Sequence, residues 1–199
     1  MLVAVVTVDQ VGSRGTDDLV DPILGELADI PALRAFERTA GDEFQGVVDD
    51  PATLAHVVEH LLHRDAWWVG IGFGAVDLPL PASGRAGRGA AYQRARDAVG
   101  AAKGVPWRVC VRGPDPEPAH ALETAVWLWA ALLARRTPRG WEVADLLDGG
   151  ASHAEAARSL GITPPAVSQR ARAAGIVEGR RARELTWYLT ARLLEGHEE

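Results

Sequence analysis

The chain has a single cysteine, Cys110, in 199 residues. One thiol cannot form an intrachain disulfide, which excludes a disulfide-stapled scaffold and leads us to expect a reducing, cytoplasmic setting. Cys110 lies between Val109 and Val111 and reads as core. No apolar run approaches the roughly twenty residues of a transmembrane helix. The run Leu2–Val8 is too short for a secretory signal and has no basic start. Positive charge is also scarce: 21 Lys and Arg stand against 27 Asp and Glu, a formal net charge of −6. A chain that coats nucleic acid over its whole surface is therefore excluded, whereas a local basic face is not. Apolar residues are plentiful at 47%, enough for a packed core in one large or two small domains.

The most informative stretch is Thr39-Ala40-Gly41-Asp42-Glu43-Phe44-Gln45-Gly46. It lies between apolar runs at 32–40 and 44–48, both strand-like in length. Gly41-Asp42 is turn chemistry, because Gly supplies unusual backbone angles and Asp tolerates them. The spacing predicts a β-hairpin with Asp42 and Glu43 at its tip. Neighbouring carboxylates repel unless a proton or cation sits between them. The chain opens on Leu2–Asp9, a buried-type strand ending in a carboxylate. Placed beside the hairpin, it would bring a third acid to the same sheet edge. Asp9, Asp42 and Glu43 are thus the expected ligands of Mg²⁺ or Mn²⁺, hard cations that take carboxylates together with substrate phosphates. The plainer alternative for the acidic pair is a solvated turn.

Four segments in order, Val8–Arg14, Gly41–Gly46, Val69–Gly74 and Ala91–Arg96, resemble the successive motifs of the SatD family. The likeness covers about the first two-thirds of the chain. It implies a C-terminal helix-turn-helix, and the Asp…Gly-Asp-Glu-Phe pattern is similar to the palm domains of diguanylate cyclases and CRISPR-type nucleotide polymerases. One segment departs: the family's Asp-Gly-Pro-like stretch is Gly87-Arg88-Gly89 here. A palm implies a nucleotide beside the metal. Ser13 and Arg14 after Gly12, Gly41 in the turn, and Arg88 and Arg94 are the candidates to hold its phosphates. Arg85 and Arg96 belong to the same basic segment, whose other reading is a solvated surface.

Along the chain, Asp21-Pro22 and Asp50-Pro51 read as N-cap plus first helical residue, opening helices that carry Ile23, Leu27 and Leu54, Val57, Leu61. A strand over 66–76 has Gly70, Gly72 and Gly74 on alternate positions, so one face is bare for another backbone or a flat ligand. A loop (78–89), a helix (90–102) and a strand (107–111) complete an α+β fold, a ferredoxin-like palm with helices on one face of the sheet, spanning 1–113. A linker and long helix take up 114–138. From 139 to 199 we expect an all-α helix-turn-helix domain. Ser152-His153-Ala154-Glu155 is a capping box, Gly161 makes the turn, and 164–174 is the second helix. An ordinary helical hairpin is the alternative. Arg158, Arg170, Arg172, Arg180, Arg181 and Arg183 make this region basic.

His56-Val57-Val58-Glu59-His60 spells a zinc-peptidase motif, but these histidines share the helix face opposite Leu54, Val57 and Leu61. A catalytic zinc needs a walled cleft, so the motif is set aside. The sequence thus points to a cytoplasmic DNA-binding regulator whose palm binds a nucleotide with Mg²⁺. Thr163, Pro165, Ser168, Gln169, Arg170 and Arg172 would face DNA. Homodimerisation is expected through the long helix around Trp127 and the last helix around Tyr188. The alternatives are a nucleotide cyclase or nucleotidyl transferase using the same carboxylates, and a relict scaffold that binds nothing.

Overall fold

The computed structural model describes residues 1–196, without the side chain of Arg85. Among the described residues, five strands form one sheet: β1 (Leu2–Gln10), β2 (Arg34–Ala40), β3 (Glu43–Val48), β4 (Trp67–Ala75) and β5 (Val109–Arg112). Their order is β2-β3-β1-β4-β5. The first four strands pair antiparallel, and β5 adds parallel to β4. With α1 (Val20–Leu27) between β1 and β2, and α2 (Pro51–Arg64) between β3 and β4, the chain follows a β-α-β-β-α-β course, the ferredoxin-like connection. Then α3 (Ala90–Ala102) crosses from β4 to β5. The class is α+β.

Helices cover both faces of the sheet, not one as expected. Ala4, Val6, Val8, Val69, Ile71 and Phe73 face a core closed by α1, α2 and the long helix α4 (Pro116–Leu133). The opposite face, with Val3, Val5 and Val47, packs on Ala91, Tyr92 and Ala95 of α3. The bare lane of Gly70 and Gly72 is filled by the backbone of α3. A Cβ at Gly70 would lie 2.2 Å from the Val99 nitrogen, and one at Gly72 would lie 2.2 Å from the Ala95 nitrogen. The lane is a seat for a helix of small residues and leaves no room for a ligand. Cys110 is buried on this face, and burial pushes its thiol up to about 11.

Several boundaries shift for local reasons. α1 begins one residue before Asp21, because the Asp18 carboxylate takes the Val20 amide at 2.9 Å. β5 begins only at Val109, because Arg108 is left-handed (φ 55). The proposed linker is partly helix: Asp115 caps α4 and Pro116 occupies its first turn.

The remaining helices are α5 (Pro138–Asp148), α6 (His153–Leu160), α7 (Pro164–Ala173) and α8 (Ile176–Glu195). Val143, Ala144, Ala156, Ala157, Val167 and Ile176 give α5–α7 and the start of α8 their own small core. α8 runs for 20 residues and returns to the sheet layer. Its Leu193 joins the main core, and Thr186 and Thr190 are fully buried. Trp141 packs against both cores. No helix of the described residues is long and apolar enough to cross a membrane.

Candidate functional site

The register places Asp9 at the end of β1 directly opposite Glu43 at the start of β3. Directly opposed residues of an antiparallel pair project from the same face, here the face of α3. Gly41-Asp42 is a two-residue turn between Ala40 and Glu43. Gly41 takes φ +55, the geometry that wants glycine at the first central position. The turn is pinned to β1, where the Gln10 amide donates to the Asp42 carbonyl at 3.1 Å. Arg38 donates to the Gly41 carbonyl and ties the hairpin to α1 through Asp18 and Asp21, at 2.7 and 2.9 Å. The acidic end is therefore held from three sides.

Its carboxylates divide. Asp42 lies against the Ser13 hydroxyl and the Asp9 carboxyl. Hydrogen bonding from Ser13 is the main reason its carboxyl is held below the ordinary value, with partial burial opposing and Asp9 and Lys103 assisting. Asp9, whose side chain is 14% exposed, forms an ion pair with Lys103. Glu43 turns away and accepts from the Thr39 hydroxyl on β2. Among the described residues no group of three His, Cys, Asp or Glu side chains gathers closely enough to hold a metal ion. The expected three-carboxylate site is thus a two-carboxylate site with an ammonium on it. Asp9 and Asp42 have the oxygen chemistry a hydrated Mg²⁺ uses, but Lys103 already supplies the neutralising charge.

Lys103 was not foreseen, although it is the only lysine in the chain. The glycine lane explains its position. α3 lies along Gly74, Gly72 and Gly70 in that order. A helix of 13 residues advances about 20 Å, which carries its C-cap, Lys103, to the Asp9 end. There the ammonium also lies 5.2 Å from the Trp68 ring centroid, within cation–π range. Gln10 was also missed. Fully buried, it shapes the Ser13 loop by donating to Thr16 and the Asp17 carbonyl and accepting from the Leu19 amide. Arg14 is exposed on that loop.

Arg88 and Arg94 do not join this site. β4 runs antiparallel to β1, with Leu2 opposite Ala75 and Asp9 opposite Trp68. The segment after β4 therefore leaves the sheet at the far end, on the order of 20 Å from Asp9. There the Arg94 guanidinium donates to the Phe73 carbonyl at 2.9 Å, and the Arg88 carbonyl accepts from the Asp77 amide at 3.0 Å. Arg94 is a brace for the end of β4. The phosphate-holding candidates at the acidic end reduce to Ser13, Arg14 and Gly41.

The second candidate surface is α7. Ser152 and Glu155 complete the capping box of α6, and Gly161 closes that helix at φ +64. Thr163 caps α7, with Pro164 in its first turn. Val167 is fully buried, while Thr163, Pro165, Ser168, Gln169 and Arg172 are exposed and Arg170 is half-buried. The six-arginine cluster splits in two. On α8, Arg180 pairs with Asp148, Arg181 with Glu184, and Arg183 with Glu59 and Asp148. Arg158, Arg170 and Arg172 make no ion pair among the described residues.

The α2 histidines line a cleft of about 890 Å³ under α5 and α8. His60 meets Glu26 at 3.0 Å, and His63 stacks on Trp141 at 3.6 Å between centroids. They form a contact between helices, and among the described residues no three ligand side chains gather there as a metal ion would need.

No family model matches the chain, and no curated protein matches it. The crystal structure of a regulator of polyketide synthase expression from Bifidobacterium adolescentis is similar over 96% of this chain and 82% of that chain, at 13% identity and a TM-score of 0.29. A likeness that slight carries no weight for fold or function.

Proposed function

We propose that the chain is a DNA-binding regulator, with α6–α7 as its helix-turn-helix and the sheet as a palm-like sensing part related to the SatD family. One observation carries the DNA half. α7 buries Val167 and exposes Ser168, Gln169 and Arg172 on its other side, and its arginines make no ion pair among the described residues. In a helix-turn-helix the early residues of the second helix meet base edges and basic residues reach phosphates. Thr163, Pro165, Ser168 and Gln169 take the first role, Arg170 and Arg172 the second. On α8, Arg180, Arg181 and Arg183 are each paired with a carboxylate of the chain and take no part. The test is retention of genomic fragments by the full chain at stepped salt. Salt-sensitive retention with enrichment of one sequence supports the reading, and its absence at low salt overturns it.

The sensing half rests on Asp9 and Asp42 beside Ser13, with Arg14 and Gly41 on the adjoining turns. A nucleotide with Mg²⁺ or Mn²⁺ is the ligand this reading assigns, Asp9 and Asp42 being the residues that would hold the cation. The metal would supply charge for the phosphates. Ser13, whose hydroxyl bonds to Asp42, would hold that carboxylate in place, and Lys103 would offer its ammonium to the phosphates. Homodimerisation belongs to the same proposal. It is supported by Leu185, Trp187 and Tyr188, which α8 leaves exposed. Trp127 is less suited, because its indole nitrogen donates to the Val109 carbonyl within the chain.

A further inference from the structure

The acidic end of the sheet carries its own cation. The Lys103 ammonium forms an ion pair with Asp9, and Asp9 adjoins Asp42. The carboxylate is the enclosed partner, at 14% exposure against 49% for the lysine side chain. Among the described residues Asp9 is the only ion-pair partner of Lys103. Trp68, directly opposite Asp9 on β4, lies under the same ammonium at 5.2 Å. Every other side chain with a permanent positive charge is an arginine. A lysine ammonium is a compact, rotatable point charge, closer to a small hydrated cation than a planar guanidinium is.

The main chain under this ammonium is fixed, and the ammonium is not. α3 is seated with its backbone against Gly70 and Gly72, which holds its C-cap at the Asp9 end. The four-carbon stem of Lys103 can release Asp9 and stay over Trp68, within cation–π range. A divalent cation on the Asp9 oxygens would meet the ammonium as a like charge. Metal binding by itself therefore breaks the Lys103–Asp9 pair and gives the ammonium nothing in return. A triphosphate beside the site offers it another anion.

We propose that Lys103 is a tethered cation that closes the Asp9–Asp42 site to a divalent metal until a triphosphate draws the ammonium away. The inference rests on the nucleotide-and-metal reading of this site and adds its regulation. Metal and triphosphate then bind with positive coupling that runs through one side chain. Couplings between ligands commonly amount to about 5–150-fold. Removing the charge of Lys103 uncouples them: the metal no longer waits for the triphosphate.

The test titrates Mn²⁺ alone into the full chain and reads the loss of the free ion's paramagnetic resonance signal. The wild type should bind weakly. Lys103→Met should bind about tenfold or more tightly than the wild type, whereas Lys103→Arg, which keeps the charge, should bind as weakly as the wild type. Asp9→Asn/Lys103→Met should lose the gain, which ties it to this site. Lys103 is the only lysine, so acetylating the folded wild type neutralises this side chain together with the N-terminus. The acetylated protein should match Lys103→Met, and it decides the matter if that variant does not fold. Melting temperature is the second measure: Mn²⁺ alone should raise it in Lys103→Met, but in the wild type only together with ATP or GTP. Equal affinity for Mn²⁺ alone in the wild type and both neutralised proteins would overturn the proposal; if Mn²⁺ with triphosphate still stabilises the wild type, the nucleotide reading survives that loss. No response of any of these proteins to Mn²⁺, with or without triphosphate, would remove both.

Discussion

Gly72→Ala would place a methyl group 2.2 Å from the Ala95 nitrogen and 2.3 Å from the Ala91 carbonyl oxygen. Both neighbours are helix backbone, so no side-chain rotation relieves the overlap. α3 must retreat by roughly 1 Å to restore ordinary contact, opening the layer between Val3, Val5 and Ala95. Overpacking of this kind costs about 1–3 kcal/mol, and a backbone clash belongs at the upper end. For a chain of this size about 3 kcal/mol lowers Tm by about 6–12 °C. Gly100→Ala is the control. It lies within α3 with nothing within 4 Å of the added carbon, and should stabilise by about 0.5–1 kcal/mol. Calorimetry on both variants reads the difference. Lys103 ends α3, so the retreat should also loosen its pair with Asp9. A Gly72→Ala protein melting within about 2 °C of wild type would refute the helix-seat reasoning and return the lane to a ligand.

In the wild type, Mg²⁺ or Mn²⁺ with a nucleoside triphosphate should raise Tm by about 5–10 °C at a hundredfold excess over Kd, the equivalent of about 2.7 kcal/mol. Asp9→Asn should abolish that rise. A wild type indifferent to metal and nucleotide would leave only the scaffold reading of the sheet, whereas turnover of the triphosphate would favour the transferase. Burial first, then neighbouring positive charge, pushes the His56 imidazole below the ordinary value; burial does the same for His63, against the pull of Asp145. The unfolded chain therefore takes up these protons first. Stability is complete above about pH 6.5 and falls as the pH drops through that value. Glu59, pushed up chiefly by burial, works in the opposite sense at more acidic pH. Tm measured from about pH 7.5 to 5.5 should fall less steeply in a His56→Gln/His63→Gln protein, and an unchanged slope would contradict the assignment. Light scattering should give the mass of two chains, reduced to one by Trp187→Ser/Tyr188→Ser; a monomeric wild type would remove the dimer.

The hairpin could be read from the sequence because Gly41-Asp42 is local turn chemistry, and with it the pairing of Asp9 against Glu43 once β1 was taken as its neighbour. The capping box at Ser152 and the turn at Gly161 were legible for the same reason: a helix end is decided by a few adjacent residues. The alternating glycines announced a close approach without naming the partner, which the small residues Ala91 and Ala95 then supplied. Lys103 was hidden because its meeting with Asp9 depends on where a helix ends after crossing a sheet. Arg88 and Arg94 were grouped with the acidic end, from which the structure separates them, because a basic segment does not say from which end of the sheet it leaves; the antiparallel pairing of β1 and β4 decides that. The arginines of α8 look like those of α7 in composition. Only the packing of α8 on α2 sets Arg183 against Glu59.

The most direct test of the DNA reading is the salt dependence of binding by the wild type, the Arg170→Ala/Arg172→Ala protein and an Arg181→Ala control on one retained fragment. Each phosphate neutralised adds about −0.9 to the slope of log K against log salt. The double variant should bind more weakly, with a slope flatter by about 1.8 per subunit. Arg181, already paired with Glu184 at 2.9 Å, should leave the slope unchanged when removed. Equal slopes for all three proteins, or binding that does not respond to salt, would contradict a DNA-reading α7.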